Sequence, residues 1–167
     1  MKILTMDMNS VTLFFSDMEV SFENNMEELE ENLRTIFLHL KNVYNLDMQG
    51  YYIVDIYKDV NYGVVVEIEK EELDYFEYFD NQVDMRISIH TDSIILYKFT
   101  DIFSIPNILL PNLDIYVHHN IVYGRVNQAL SPAQSSFLME YHHSIVYGDS
   151  TKNIVQKNNL INKTNLL

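Results

Sequence analysis

The 167-residue chain has no cysteine. That excludes a disulfide framework, a thiol nucleophile and a thiolate metal site. Tryptophan is absent, and the four glycines form neither a GxGxxG nor a GxxxxGK arrangement, so no backbone cradle for nucleotide phosphates is expected. Three prolines make no Pro-rich linker. No stretch approaches the ~20 apolar residues of a membrane-spanning helix. The opening Met1-Lys2-Ile3-Leu4-Thr5-Met6-Asp7 has no sustained apolar run, so no signal peptide is expected and the expected location is cytoplasmic. Positive charge is also scarce, with 11 Lys+Arg against 24 Asp+Glu and a formal net charge of −13. Such a balance repels phosphates and anionic lipid, which disfavours direct contact with nucleic acid or membrane and favours a protein partner with a basic surface.

The charge that is present is lopsided. Residues 1–92 carry 20 Asp+Glu against 6 Lys+Arg, whereas residues 93–167 carry 4 against 5. This points to two halves: an acidic one over 1–84, a near-neutral one over 85–148, and a frayed tail over 149–167. The hydrophobic content of 47% suffices for a packed core, and 12 Tyr with 9 Phe supply much of it.

Local patterns give an element order. Val11-Thr12-Leu13-Phe14-Phe15 reads as a strand, with Ile3-Leu4-Thr5 its candidate partner. Met26, Leu29, Leu33, Ile36, Phe37, Leu40, Val43 and Tyr44 recur at helical spacing, with Asn24 or Asn25 as cap and Glu27, Glu28, Glu30 and Glu31 near the positive end of the dipole. Residues 51–58 and 64–69 form a hairpin around the turn containing Gly63. The opening order is therefore β-α-β-β. Further on, 84–90 and 93–99 are expected to pair as strands around Thr91-Asp92. A short helix starting between Asp101 and Leu110 would meet interference from Pro106 and be ended by Pro111. A hairpin is expected across His118-His119-Asn120. Ser131-Pro132 starts a helix carrying Phe137, Leu138 and Tyr141 into Ser144 or beyond. The fold class is α+β, with two small β-rich halves: β-α-β-β, then a strand and hairpin unit with a C-terminal helix.

No motif brings together a catalytic set. The pairs His118-His119 and His142-His143 invite a metal, but neighbours on a strand face opposite ways and no HExxH is present, so turn and surface histidines are the default and no cofactor is expected. Asp55, Glu67 and Glu69 are strand carboxylates of a kind common on solvated faces. The densest feature is residues 67–84, where Glu67, Glu69, Glu71, Glu72, Asp74, Glu77, Asp80 and Asp84 face Lys70 alone and enclose Tyr75, Phe76, Tyr78 and Phe79. It reads either as a charged connector with rings turned inward or as a docking surface of aromatic anchors with acidic flanks.

Several segments together resemble the MecA-type adaptors, which deliver substrates to a Clp-class AAA+ unfoldase. Gly50-Tyr51-Tyr52-Ile53-Val54 and Val65-Val66-Glu67-Ile68-Glu69-Lys70 are similar to the family's substrate-binding domain. Tyr97-Lys98-Phe99-Thr100-Asp101-Ile102-Phe103, Ile115-Tyr116, Asn120-Ile121-Val122-Tyr123 and Glu140-Tyr141 are similar to its docking domain. The resemblance implies a bacterial, non-enzymatic adaptor in which Tyr97, Phe99, Asp101, Phe103, Tyr116 and Tyr123 lie in the docking half. It departs from the family in lacking a long acidic linker and in its less acidic rear half. The competing expectation is an acidic mimic of nucleic acid that occupies the groove of a basic DNA- or RNA-binding protein.

Overall fold

Asn25 is the residue that starts the first helix. In a computed structural model of the chain, which describes residues 1–7, 9–16, 25–46, 49–71 and 83–161, its backbone is extended and its side chain accepts from the Glu27 N–H at 3.1 Å. Helix α1 (Met26–Tyr44) follows and buries Leu29, Leu33, Ile36, Phe37 and Leu40. Met26, Val43 and Tyr44 also belong to the sequence stripe, yet they are exposed, because the end turns lie outside the core.

The buried side of α1 packs on a five-stranded sheet. Its strands are β1 (Lys2–Met6), β2 (Ser10–Phe15), β3 (Gly50–Asp59), β4 (Val64–Glu71) and β5 (Val83–Ser93), in the order β1-β2-β4-β3-β5. All neighbours are antiparallel except β3 and β5. Strand alternation sends Val11, Leu13, Phe15, Val54, Ile56, Val66 and Ile68 toward the helix. Full burial of each such side chain is worth about 1.5–3 kcal/mol. Gly63 closes the β3–β4 hairpin at φ 97°, and a Cβ there would come within 2.7 Å of the Phe14 ring.

A second, antiparallel sheet comprises β6 (Ile95–Phe99), β7 (Leu113–His118), β8 (Ile121–Val126) and β9 (Ser144–Tyr147), ordered β7-β8-β6-β9. It packs on the face of the first sheet turned away from α1, where Phe14, Tyr62 and Val65 join Tyr97, Phe99, Leu113 and Ile115 in a shared core. This is why Val65 is buried although it alternates with Val64 and Val66. Helix α2 (Pro132–Tyr141), opened by a capping box between Ser131 and Gln134, adds Leu138 to that core. The second sheet's other side, with Leu96, Tyr116 and Tyr123, is covered by Ile154. The fold is α+β, with two β-rich halves in contact.

The structure corrects several expectations. The strands over 84–90 and 93–99 do not pair with each other: β5 joins β3 in the first sheet, and the chain then crosses to begin β6 in the second. Thr91-Asp92 supplies no reversing turn, and Ile95, Leu96, Tyr97 and Phe99 are all buried, as suits a central strand covered on both faces. The sheets therefore part after Ser93, and the dividing line drawn at residue 84 falls inside β5. Between Asp101 and Leu110 stands a single 3₁₀ turn, Ile102–Ser104, and Pro111 lies inside a second one, Leu110–Asn112, instead of ending a helix. Helix α2 stops at Tyr141, where His142 turns extended and the chain enters β9. Residues 149–161 are not frayed: Thr151 and Ile154 are buried and Ile161 N–H donates to Ile115 C=O at 2.8 Å. Residues 162–167 lie outside the described part.

Candidate functional site

Register assembles the site. On the face of the first sheet opposite α1, side chains line up in rows across the strands. Lys2, Phe14, Val65, Tyr57 and His90 form one row, and the second sheet covers its apolar middle. The next row is polar: Thr5, Thr12, Glu67, Asp55 and Ser88. Beyond it come Ser10, Glu69, Ile53 and Arg86, then Glu71, Tyr51 and Asp84. Ile53, Tyr51 and Glu71 are half-buried, Glu69, Asp84 and Arg86 are exposed, and none of them belongs to either core. The result is a sheet face that the second sheet covers at one end only. Among the described residues its outer rows hold Asp55, Glu67, Glu69, Glu71 and Asp84 against Arg86.

Asp55 and Glu67 stand directly opposite each other on β3 and β4, an arrangement that repels when both are ionised. Each has a partner that offsets this. His90 Nε2 lies 2.9 Å from Asp55 Oδ1, and its ring stacks on Tyr57 with centroids 4.7 Å apart. Tyr147, from the second sheet, donates its hydroxyl to Glu67 Oε1 at 3.3 Å. Burial first, and the Glu67 charge second, push the Tyr147 phenol up to about 12. Burial also raises the Tyr57 phenol, with Asp55, Glu67 and Asp149 adding to the effect.

Clefts open on either side of this seam. One of about 370 Å³ lies between Tyr57, His90, Asp92 and the turn at Gly148–Lys152. Another of about 200 Å³ lies between β1 and β9, beside Lys2, Thr5, Thr12 and His142. Neither is lined by Asp55 or Glu67.

The sequence-predicted residues divide into three groups. Glu67, Glu69 and Glu71 share the acidic face. Glu72, Asp74, Tyr75, Phe76, Glu77 and Tyr78 lie outside the described residues. In the second half, Tyr97, Phe99, Tyr116 and Tyr123 are corrected from docking residues to core residues, because all four are at most 7% exposed. Burial lifts the Tyr97 phenol well above its usual range. Asp101 and Phe103 are on the surface. Asp101 caps the 3₁₀ turn by accepting from Ser104 N–H at 2.8 Å, and Phe103 stands 94% exposed on that turn. Sequence reasoning missed His90, Tyr57 and Tyr147, which only the parallel pairing of β5 and the packing of the second sheet bring to the seam.

The histidine pairs separate by environment. The rings of His118 and His119 approach to 4.0 Å in the β7–β8 turn. His142 is buried, donates through Nδ1 to Leu138 C=O at 2.7 Å and accepts from Lys2 Nζ at 3.3 Å, whereas His143 is exposed. Among the described residues, no group of three His, Cys, Asp or Glu converges as metal ligands would. No helix among them is long and apolar enough to cross a membrane. No family model matches the chain, and neither a curated protein nor a solved structure matches it.

Proposed function

We propose that this chain is a non-enzymatic interaction protein that works through the outer, acidic face of its first sheet. The observation that carries the reading is the register of Glu67, Glu69 and Glu71 beside Asp55 and Asp84, with Arg86 the opposing charge. Carboxylates fixed on neighbouring strands need little reorganisation to meet a basic surface, and such complementarity speeds encounter and selects partners. Tyr51 and Ile53 between them supply apolar contact. Asp55 and Glu67 line neither cleft, which supports binding over acid–base catalysis by this carboxylate pair.

A second grip is Phe103. A 94% exposed aromatic ring on a turn held by the reciprocal Asp101–Ser104 capping box is presented at low ordering cost, as an interface anchor needs. Acidic face and aromatic anchor together support the adaptor form of the proposal: a cytoplasmic protein that holds a basic client with one half and a Clp-class AAA+ unfoldase with the other, raising the client's local concentration.

One observation favours the mimic reading. Glu67, Glu69 and Glu71 alternate along β4, which spaces their carboxylates at about 6.7 Å, a regular row of negative charge.

Carbodiimide coupling, which joins carboxylates to lysines in direct contact, tests the proposal on partners captured from a native lysate. Couplings from Glu69, Glu71 and Asp84 to lysines of a captured protein are expected. Couplings confined to α1, or none, would overturn it. Absence of any AAA+ protein among the captured set would defeat the unfoldase form, and competition with DNA for the same partner would select the mimic.

A further inference from the structure

Strand β5 ends the first sheet. Among the described residues no strand pairs with its outer edge, the position from which a sheet is extended by another strand. The edge is also apolar on one side. Val83, Met85 and Ile87 reach the α1 core only in part, and Ile89, which shares their face, is 37% exposed. Arg34 of α1 donates to Val83 C=O at 2.8 Å, which fixes that side of the helix over the start of β5. Leu38 lies one turn further along the same side and is 59% exposed. The opposite face of β5 alternates Asp84, Arg86, Ser88 and His90.

We propose that β5 pairs with β5 of a second copy of this chain, antiparallel about a two-fold axis at Ile87, to form a continuous ten-stranded sheet. The sequence of the strand argues for this occupant and register. Pairing about Ile87 sets Asp84 opposite His90 and Arg86 opposite Ser88 on the acidic face, so no like charges meet. On the helix face it sets Met85 opposite Ile89 and Ile87 opposite itself, closing the exposed apolar strip. Registers displaced by one pleat either way place Arg86 against Arg86, or Arg86 against His90 and Asp84 against Asp92. Two further registers avoid like charges: one about Ile89 sets Ile87 against Thr91 and Met85 against Ser93, and one about Met85 sets Asp84 opposite Arg86 but pairs only residues 83–87 of the strand, against 83–91 for the axis at Ile87. The register about Ile89 also runs into the shift in β3–β5 pairing between Tyr57 and Asp59. A two-fold contact is self-complementary by construction, and this strand has the required near-palindrome of character. Each copy carries −13, so the approach of two copies is opposed at long range. Salt screens that repulsion, while the apolar pairs and the ladder bonds are insensitive to it. Dimerisation therefore strengthens with ionic strength, the opposite of binding a basic partner.

The absence of cysteine makes a direct test available. Residues that face each other across an antiparallel pair have Cα atoms about 4.5–5.5 Å apart, within disulfide reach. Full-length Ile87→Cys is expected to form a disulfide-linked dimer under mild oxidation, and Glu69→Cys, whose thiols lie far from the two-fold axis, is expected to form no disulfide link. Efficient linkage through Ile89→Cys and not Ile87→Cys would overturn the register. As a check that does not depend on the core-facing variants, sedimentation velocity of the unaltered chain is expected to show a dimer favoured by added salt. Ser88→Arg, which sets Arg against Arg86 twice, is expected to weaken association at least tenfold, and the added change Arg86→Asp to restore it. A monomer at every concentration and salt level tested would overturn the proposal.

Discussion

Asp59, at the end of β3, accepts a hydrogen bond from the Ile95 N–H at 3.0 Å and so ties the first sheet to the opening residue of the second. The carboxylate is 4% exposed. Its other oxygen accepts from Asn61 N–H at 2.9 Å, and Arg125 Nε lies 3.9 Å away. Asp59→Ala leaves two N–H groups without their acceptor and is expected to cost about 2–3 kcal/mol of stability. Asp59→Asn, which keeps an acceptor, is expected to cost less. Urea denaturation of both variants measures the difference.

Alkaline pH should loosen the seam. Tyr147 has its phenol raised to about 12, and Tyr97 is raised well above its usual value, so between pH 10 and 12 the unfolded chain releases protons that the folded chain retains. The stabilisation is fully present below pH 10 and is lost as pH rises through the folded values. Thermal unfolding across this range is expected to show a falling Tm, with a shallower fall in Tyr147→Phe.

Acid should act through His142. Burial lowers the pKa of its ring, with Lys2 adding to the effect, although the bond to Leu138 C=O opposes it. The neutral ring's contribution is present above the usual histidine range and is lost as pH falls through the depressed folded value. The pH dependence of urea stability below about 6.5 is expected to flatten in His142→Gln.

Phe103 and Tyr97, paired in the sequence reading, should behave oppositely. Tyr97→Ala empties a fully buried site and is expected to cost about 3–5 kcal/mol. Phe103→Ala is expected to change stability by less than about 0.5 kcal/mol while weakening partner capture. The comparison requires only denaturation curves and a binding assay on the two variants.

Legibility in the sequence followed the range of the interactions. The stripe from Leu29 to Leu40, the turn at Gly63 and the Ser131 cap are local signals, and the helices and hairpins they define are present in the structure. The destination of β5 depends on a parallel partner 33 residues earlier, which no local pattern encodes, so local pattern alone pairs the strand with β6 instead. The same limit hid the seam: His90 meets Asp55 only once β5 pairs with β3, and Tyr147 meets Glu67 only once the two sheets are packed. The acidic side of β4 could be read from its alternation, but whether anything covered it could not. The tyrosines at 97, 116 and 123 carried no sequence mark to separate core from surface, because their rings suit either.

Charge placement and net charge make different demands on partner binding. Binding of the captured basic partner should be measured by titration calorimetry with two charge reversals of equal size. Glu69→Lys with Glu71→Lys alters the sheet face, and Glu28→Lys with Glu31→Lys alters α1. A loss of affinity of at least about a hundredfold is expected for the sheet variant, and at most a few-fold loss for the helix variant. Equal losses in both would show that overall charge, and not this face, holds the partner.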